Sequence, residues 1–253
     1  MYDLNYYDEM KQADAGDLES MFNLASYMIW GDQTSPVEPE MAELAIRYYY
    51  ANAEAGDTDS MLDLGAMYLE GRGVERDESK ALKWYEKAAE QNGPRACRCI
   101  GNLYRYDLLE DGTTVPTADP ARLQKALEWY LLGAEREEEN CLYELGDYYR
   151  RGMIVEQDED KAFSLYQQAY EICVKLLDDH FSCNDSYADV CLRLAECYHY
   201  GIGTAIDLPK ARFYVQIAKK EAKDCLDSGD MYSGSCYPRA QNEWQAIMSE
   251  TGF

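Results

Sequence analysis

The chain has 253 residues, with 24 lysines and arginines against 48 aspartates and glutamates, for a formal net charge of −24. So acidic a surface repels phosphate backbones and anionic headgroups, which argues against nucleic acid and membrane as partners. A hydrophobic content of 47%, with 13% aromatic residues, supports a folded core and argues against disorder.

The opening segment, MYDLNYYDEM, has neither a basic start nor an unbroken apolar run, so no signal peptide is expected. The longest nearly apolar run, Met21 to Trp30, is about half of what a membrane span needs. A cytoplasmic protein is the expectation. Tyr6 to Ala15 reads as a solitary capping helix over residues 1–17. Its end, Ala13-Asp14-Ala15-Gly16-Asp17, is echoed by Ala53-Glu54-Ala55-Gly56-Asp57.

Five copies of one helical hairpin follow, at about 18–56, 57–93, 94–137, 138–184 and 185–226. The first helix of each copy (helix A) carries an apolar residue, then a small one, with an aromatic or Met four further on. This anchor occurs at Leu24-Ala25/Met28, Leu64-Gly65/Tyr68, Ile100-Gly101/Tyr104, Leu145-Gly146/Tyr149 and Leu194-Ala195/Tyr198. Seven residues past each anchor stands Gly31, Gly71, Asp107, Gly152 or Gly201, where a left-handed residue ends a helix.

The second helix (helix B) repeats Ala45/Tyr48/Tyr49/Ala53, Ala81/Trp84/Tyr85/Ala88/Ala89, Ala126/Trp129/Tyr130/Ala134, Ala162/Leu165/Tyr166/Ala169 and Ala211/Tyr214/Ala218. That spacing marks one face of a helix. Asp77, Asp158 and Asp207 stand where a side chain caps helix B. In copies one and three, Glu38-Pro39 and Asp119-Pro120 start it almost a turn earlier.

From helix B to the next anchor the offset is 11 residues at 53→64, 89→100 and 134→145, and also at 13→24. The fourth junction is longer, with extra material around Cys173 to Asn184 that lengthens helix B and adds a loop. A Gly/Ser-rich loop, Asp227 to Ser235, leads to a closing helix at Pro238 to Glu250, the terminal cap lying within 236–253. The anchors recur after 40, 36, 45 and 49 residues. Helical pairs at such periods predict an all-α solenoid in one domain, 1–253, with about five helix-turn-helix repeats and a capping helix at each end.

Leu64 to Glu90 reads LG-xx-Y-xx-G-x-GV-xx-D-xx-KA-xx-WY-xx-AAE, and this resembles the Sel-one-like repeat, a relative of the tetratricopeptide repeat. The resemblance covers nearly the whole chain and is strongest in copy two. It implies a right-handed α/α superhelix and a scaffold or adaptor that holds partner proteins.

No catalytic constellation is present. The histidines, His180 and His199, lie near no nucleophile motif, and Gly71-Arg72-Gly73 follows a helix instead of cradling a phosphate. The nine cysteines do not match zinc spacing; Cys97, Cys141, Cys191 and Cys197 fall at core positions and are expected as small buried hydrophobes in a reducing compartment. No enzyme activity, metal or small-molecule cofactor is expected.

The helix-A stripe opposite the anchor carries the candidate site. Copies one and two bring Phe22, Trp30, Leu62 and Leu69. Copy three brings Arg95, Arg98, Asn102, Arg105 and Tyr106, and copy four Asn140, Tyr143, Arg150 and Arg151. An arginine cluster beside Asn and Tyr suits a carboxylate, which a guanidinium grips with two parallel hydrogen bonds. One reading is a groove for a partner protein or peptide with an acidic or carboxylate-bearing segment; internal pairing with surplus Asp and Glu is the other fate of such arginines. The alternative function is an acidic immunity or inhibitor-type protein that holds a basic toxin or effector through runs such as Glu135–Glu139 and Glu156–Asp160.

Overall fold

The computed structural model describes residues 4–31, 35–108, 113–179, 185–227 and 236–250. The chain divides into two compact units, Met1–Pro116 and Thr117–Phe253. The first holds α1 (Leu4–Asp14), α2 (Leu18–Trp30), α3 (Pro39–Glu54), α4 (Thr58–Glu70), α5 (Glu78–Glu90) and α6 (Pro94–Arg105). It ends in an antiparallel ribbon of β1 (Tyr106–Leu108) and β2 (Thr114–Pro116), with Asp107 opposite Val115. The second holds α7 (Pro120–Glu135), α8 (Glu139–Arg151), α9 (Glu159–Asp179), α10 (Asp185–Tyr200), α11 (Leu208–Asp227) and α12 (Cys236–Glu250). Within each unit every helix packs on the one before it and the one after it, and α10 also touches α8 and α12.

The hairpins α2/α3, α4/α5, α8/α9 and α10/α11 are copies one, two, four and five. The boundary between the units falls inside copy three, after its helix A (α6) and before its helix B (α7). The sequence expectation of a glycine-type turn fails there. Asp107 pairs in β1, and Tyr106 is extended (φ −116°, ψ 143°), so the chain leaves α6 as a strand. Copy one also departs from it: Gly31 caps α2 with φ −63°, still right-handed. Gly71, Gly152 and Gly201 adopt the expected left-handed conformation, with φ of 71°, 64° and 74°.

Close approach explains the small residue after the anchor. A Cβ on Gly65 would overlap the Tyr85 ring of α5, and one on Gly146 the Tyr166 ring of α9. Both rings are buried, as are the anchors Leu64 and Leu145. The constant junction offset also has a local cause. A left-handed residue turns the chain at Gly16, Gly56, Asn92 and Glu137, between helix B and the next helix A. Asp17, Asp57 and Glu138 then accept hydrogen bonds from Ser20 N (2.8 Å), Ser60 N (2.8 Å) and Cys141 N (2.7 Å).

The caps of helix B fall where expected. Asp77, Asp158 and Asp207 accept from the backbone N–H of Lys80, Lys161 and Lys210 at 3.0, 2.9 and 3.0 Å. Pro39 and Pro120 occupy the first turns of α3 and α7. The lysine of each cap has a further role. Lys80 lies over the Tyr68 ring at 5.1 Å, Lys161 over Tyr149 at 3.9 Å and Lys210 over Tyr198 at 4.9 Å. A cation in a first helical turn opposes the helix dipole, and the Asp cap and tyrosine face beside it offset that penalty. The Lys and Tyr of the repeat motif therefore clasp helix A to helix B.

The lengthened helix B of copy four is present as α9, with 21 residues. The loop parts at 180–184 and 228–235 lie outside the described residues, and the closing helix starts at Cys236, two residues early. Cys97, Cys141, Cys191 and Cys197 are thiols, fully buried in the core as expected. Cys225 differs, being disulfide-bonded. Among the described residues no helix is long and apolar enough to cross a membrane.

Candidate interaction face

In the first unit, α2, α4 and α6 carry the nominated side chains. Phe22 is half-buried and meets Tyr49 edge-on, with ring centroids 6.0 Å apart. Trp30 is half-buried under the Arg72 guanidinium, 5.7 Å from its ring centroid, and Arg72 Nε donates to the Ile29 carbonyl. Leu69 is half-buried as well, but Leu62 belongs to the core, 7% exposed. Arg95 Nη1 meets Asp59 Oδ1 at 3.0 Å in a pair more than half exposed on both sides. Arg98 and Asn102 are half-buried on α6.

Arg105 and Tyr106 depart from the expectation that both line an open helix face. Arg105 is 4% exposed, its guanidinium 5.4 Å from the Tyr106 ring centroid and its Nε donating to the Tyr106 hydroxyl at 3.4 Å. The helix ends between them, so Tyr106 folds back over its neighbour instead of extending the stripe.

One carboxylate on this side escaped the sequence reading. Burial pushes Asp63 of α4 up to about 6, while the Tyr49 hydroxyl and Arg95 hold it back.

The second unit uses its nominated residues internally. Asp147 of α8 accepts from Arg193 Nε (2.9 Å) and Nη2 (3.1 Å) of α10 and from the Tyr166 hydroxyl (2.7 Å). Burial alone would raise the Asp147 carboxyl; Arg193 overrides it and holds the group at about 2. Arg193 also reaches Asp189 at 3.5 Å and lies 5.9 Å from the Tyr143 ring centroid. Arg150 Nη1 pairs with Glu196, half-buried on both sides, and Arg151 with Asp147 at 3.5 Å. Asn140 is 8% exposed and accepts from Ser186 Oγ at 2.9 Å. It lies in the interface between α8 and α10, so it offers no open hydrogen-bonding edge.

The lattice continues onto the closing helix. Arg239 of α12 reaches Asp189 at 3.5 Å and Glu196 at 3.6 Å. His199 Nδ1 lies 2.6 Å from Glu243 Oε1. The sequence reading missed Arg193 because it sits one residue before its anchor, just outside the chosen stripe. A signal was present. Three residues of α8 cross to α10 with a partner three positions earlier relative to the next anchor: Asn140 with Ser186, Asp147 with Arg193, Arg150 with Glu196.

Five matches to the Sel1 repeat cover residues 18–57, 58–93, 107–137, 140–171 and 188–221, more than half of the chain. The chain belongs to the Sel1 repeat family. The third Sel1 match starts at residue 107, leaving α6 out, in keeping with the altered turn there. A Sel1 repeat protein from Oxalobacter formigenes superposes with a TM-score of 0.62 at 23% identity, covering 97% of this chain and 98% of that one. That likeness is one of fold, a helical solenoid. The ERAD-associated E3 ubiquitin-protein ligase component HRD3B of Arabidopsis thaliana is 36% identical over 107 residues, 42% of this chain and 15% of the relative. Chitin synthase regulator SKT5 of Saccharomyces cerevisiae is 28% identical over 138 residues, 54% of this chain and 18% of the relative. The matches thus span less than a fifth of either relative. Among the described residues no group of three or more His, Cys, Asp or Glu is placed to hold a metal ion.

Proposed function

We propose that this Sel1 repeat protein is a non-enzymatic scaffold that holds a partner protein, with the helix-A face of the first unit taking a segment of that partner. The observation that carries this reading is that the helix-A face of this unit bears half-buried aromatic residues, Phe22 and Trp30, on α2 and an exposed guanidinium, Arg95, on α6. An exposed ion pair such as Arg95–Asp59 is worth about 0–1 kcal/mol, so a partner carboxylate can replace Asp59 at little cost. Half-buried aromatic side chains supply apolar anchoring area. HRD3B is a ubiquitin-ligase component and SKT5 a synthase regulator, roles in keeping with repeats that serve a larger assembly.

The test is capture of the partner from native cell extract by the wild-type chain, by Arg95→Glu and by Phe22→Ala. Both variants are expected to lose capture at unchanged helical circular dichroism. Undiminished capture by both would remove this face from the function. Arg150→Glu is a poor probe, because it would set a second carboxylate against Glu196 and damage the fold.

The alternative, an inhibitor-type protein with a basic partner, is favoured by one feature of the second unit. Glu156, Asp158, Glu159 and Asp160 gather with Gln157 around Tyr149 in an open cleft between α8 and α9. Under this reading Glu156→Lys with Asp160→Lys abolishes capture and Arg95→Glu leaves it intact.

A further inference from the structure

Three repeat positions meet where one hairpin packs on the next: two residues past a helix-A anchor, four past the first alanine of its helix B, and one before the following anchor. Between copies four and five they hold Asp147, Tyr166 and Arg193, and the set is closed. Asp147 accepts from Arg193 at 2.9 and 3.1 Å and from the Tyr166 hydroxyl at 2.7 Å. Between copies one and two the same positions hold Ser26 of α2, Tyr49 of α3 and Asp63 of α4, grouped with Trp30 around the Tyr49 hydroxyl. Here the acid stands in the arginine's place and a serine in the acid's, so the guanidinium has no counterpart among the three. Tyr49 is fully buried, yet neither its hydroxyl nor the buried Trp30 Nε1 reaches a partner in hydrogen-bond geometry among the described residues. Burial raises the Asp63 carboxyl to about 6, and Arg95, which holds it back, is itself engaged with Asp59 at 3.0 Å. Asp63, Ser26, Trp30 and Phe22, whose ring meets Tyr49, are each half-buried, so the group is reachable from solvent.

We infer, resting on the helix-A face proposed above, that this cluster is a subsite for an arginine side chain of the bound segment: the partner supplies to Asp63 the guanidinium that Arg193 supplies to Asp147. A partly desolvated carboxylate gains most from a planar guanidinium, which engages both of its oxygens, whereas an ammonium offers a single point of charge. The aromatic rings of Phe22 and Trp30 beside it also favour a flat cation. The segment thus presents an arginine to Asp63 and a carboxylate to Arg95, two charges of opposite sign. The presence of Asp63 in the free chain has its reason here. A carboxylate held without its guanidinium lowers stability, and binding recovers that loss, as at other sites where function opposes stability.

Titration of the full chain with N-acetyl-arginine amide at constant ionic strength reads the subsite through the indole N–H resonance of Trp30, assigned with Trp30→Phe. A saturable shift is expected in the wild type, with affinity at least about tenfold weaker in Asp63→Asn and weaker binding of N-acetyl-lysine amide than of the arginine probe. Ser26→Arg sets a guanidinium of the chain's own beside Asp63, so it should abolish the response and raise the urea midpoint. The absence of a saturable shift, an unchanged affinity in Asp63→Asn, equal affinity for the lysine probe, or full binding by Ser26→Arg overturns the subsite. Asp63→Asn keeps the shape of the side chain, so it holds the test open should Ser26→Arg fail to fold. Partner capture separates the subsite from the face. Capture lost in Arg95→Glu and Phe22→Ala but kept in Asp63→Asn leaves the face standing and removes the arginine subsite; capture kept in Arg95→Glu and Phe22→Ala removes the face.

Discussion

Asp63, half-buried, and Asp147, buried, are carboxylates on the same kind of helix, and their surroundings push them in opposite directions. Asp147 has a guanidinium engaging both oxygens and a tyrosine hydroxyl, so it stays ionised far below the usual carboxylate range. Asp63 has no such bidentate partner among the described residues, and burial raises it to about 6. A group raised on folding contributes stability that is fully present below its unfolded pKa and is lost as pH rises through the folded one. The contribution of Asp63 is therefore larger near pH 4 than near pH 7. At one pKa unit per about 1.4 kcal/mol, Asp63→Asn is expected to stabilise the first unit at pH 7 by up to about 3 kcal/mol and to remove the contribution of Asp63 to its pH dependence between pH 4 and 7. Urea unfolding of the two proteins at both pH values checks this. Equal stability of mutant and wild type at pH 7 would show that Asp63 is hydrated in the folded chain. Neither role was legible in the sequence, since 48 acidic residues make any single one uninformative until the fold shows which of them is buried.

At the scale of the helix, the sequence was legible wherever a local rule acts. Glycine at a left-handed turn, aspartate before helix B and proline in its first turn depend on backbone geometry within a few residues, and they located α3, α5, α7, α9 and α11. Copy three defeated the reading because its turn residue is Asp107. Once the glycine is gone, the aromatic and β-branched side chains of Tyr106 and Val115 make an extended ribbon competitive with a helical turn. The small residue of the anchor is a stronger rule, because it reports helix–helix distance. An alanine at an ordinary helical position stabilises relative to glycine by roughly 1 kcal/mol. At Gly146 the added methyl meets the Tyr166 ring, which its hydrogen bond to Asp147 holds in place. Gly146→Ala is therefore expected to cost about 1–3 kcal/mol of overpacking, a net loss despite the gain in helix propensity. Denaturant titration decides it, and a stabilised variant would mean that α8 and α9 can separate without penalty.

Over the whole chain the acid excess sets a balance between two electrostatic effects of opposite salt dependence. The lattice from α8 through α10 to α12 gains from low ionic strength, because attraction between Arg150, Arg193, Arg239 and their acids is unscreened there. The remaining surface loses from it, because a net charge of −24 repels itself over distances that salt shortens to about 10 Å at 0.1 M. Which effect wins follows from burial. Arg193 and Asp147 are 8% and 4% exposed, and Arg150 and Glu196 are 23% and 18% exposed, so added ions reach those pairs poorly. The surplus acids include the exposed Glu135, Glu137, Glu156 and Glu159, which added ions reach freely. Screening should thus relieve repulsion more than it weakens the lattice. Raising sodium chloride from about 20 mM to 300 mM is expected to increase the melting temperature, by about 2–4 °C for each kcal/mol of repulsion relieved. Calorimetric scans across that range, with the pH held constant, test the balance. A melting temperature that falls with salt would place the decisive electrostatics in the lattice, and would make Arg193 and Arg150 the residues on which the stability of the second unit turns.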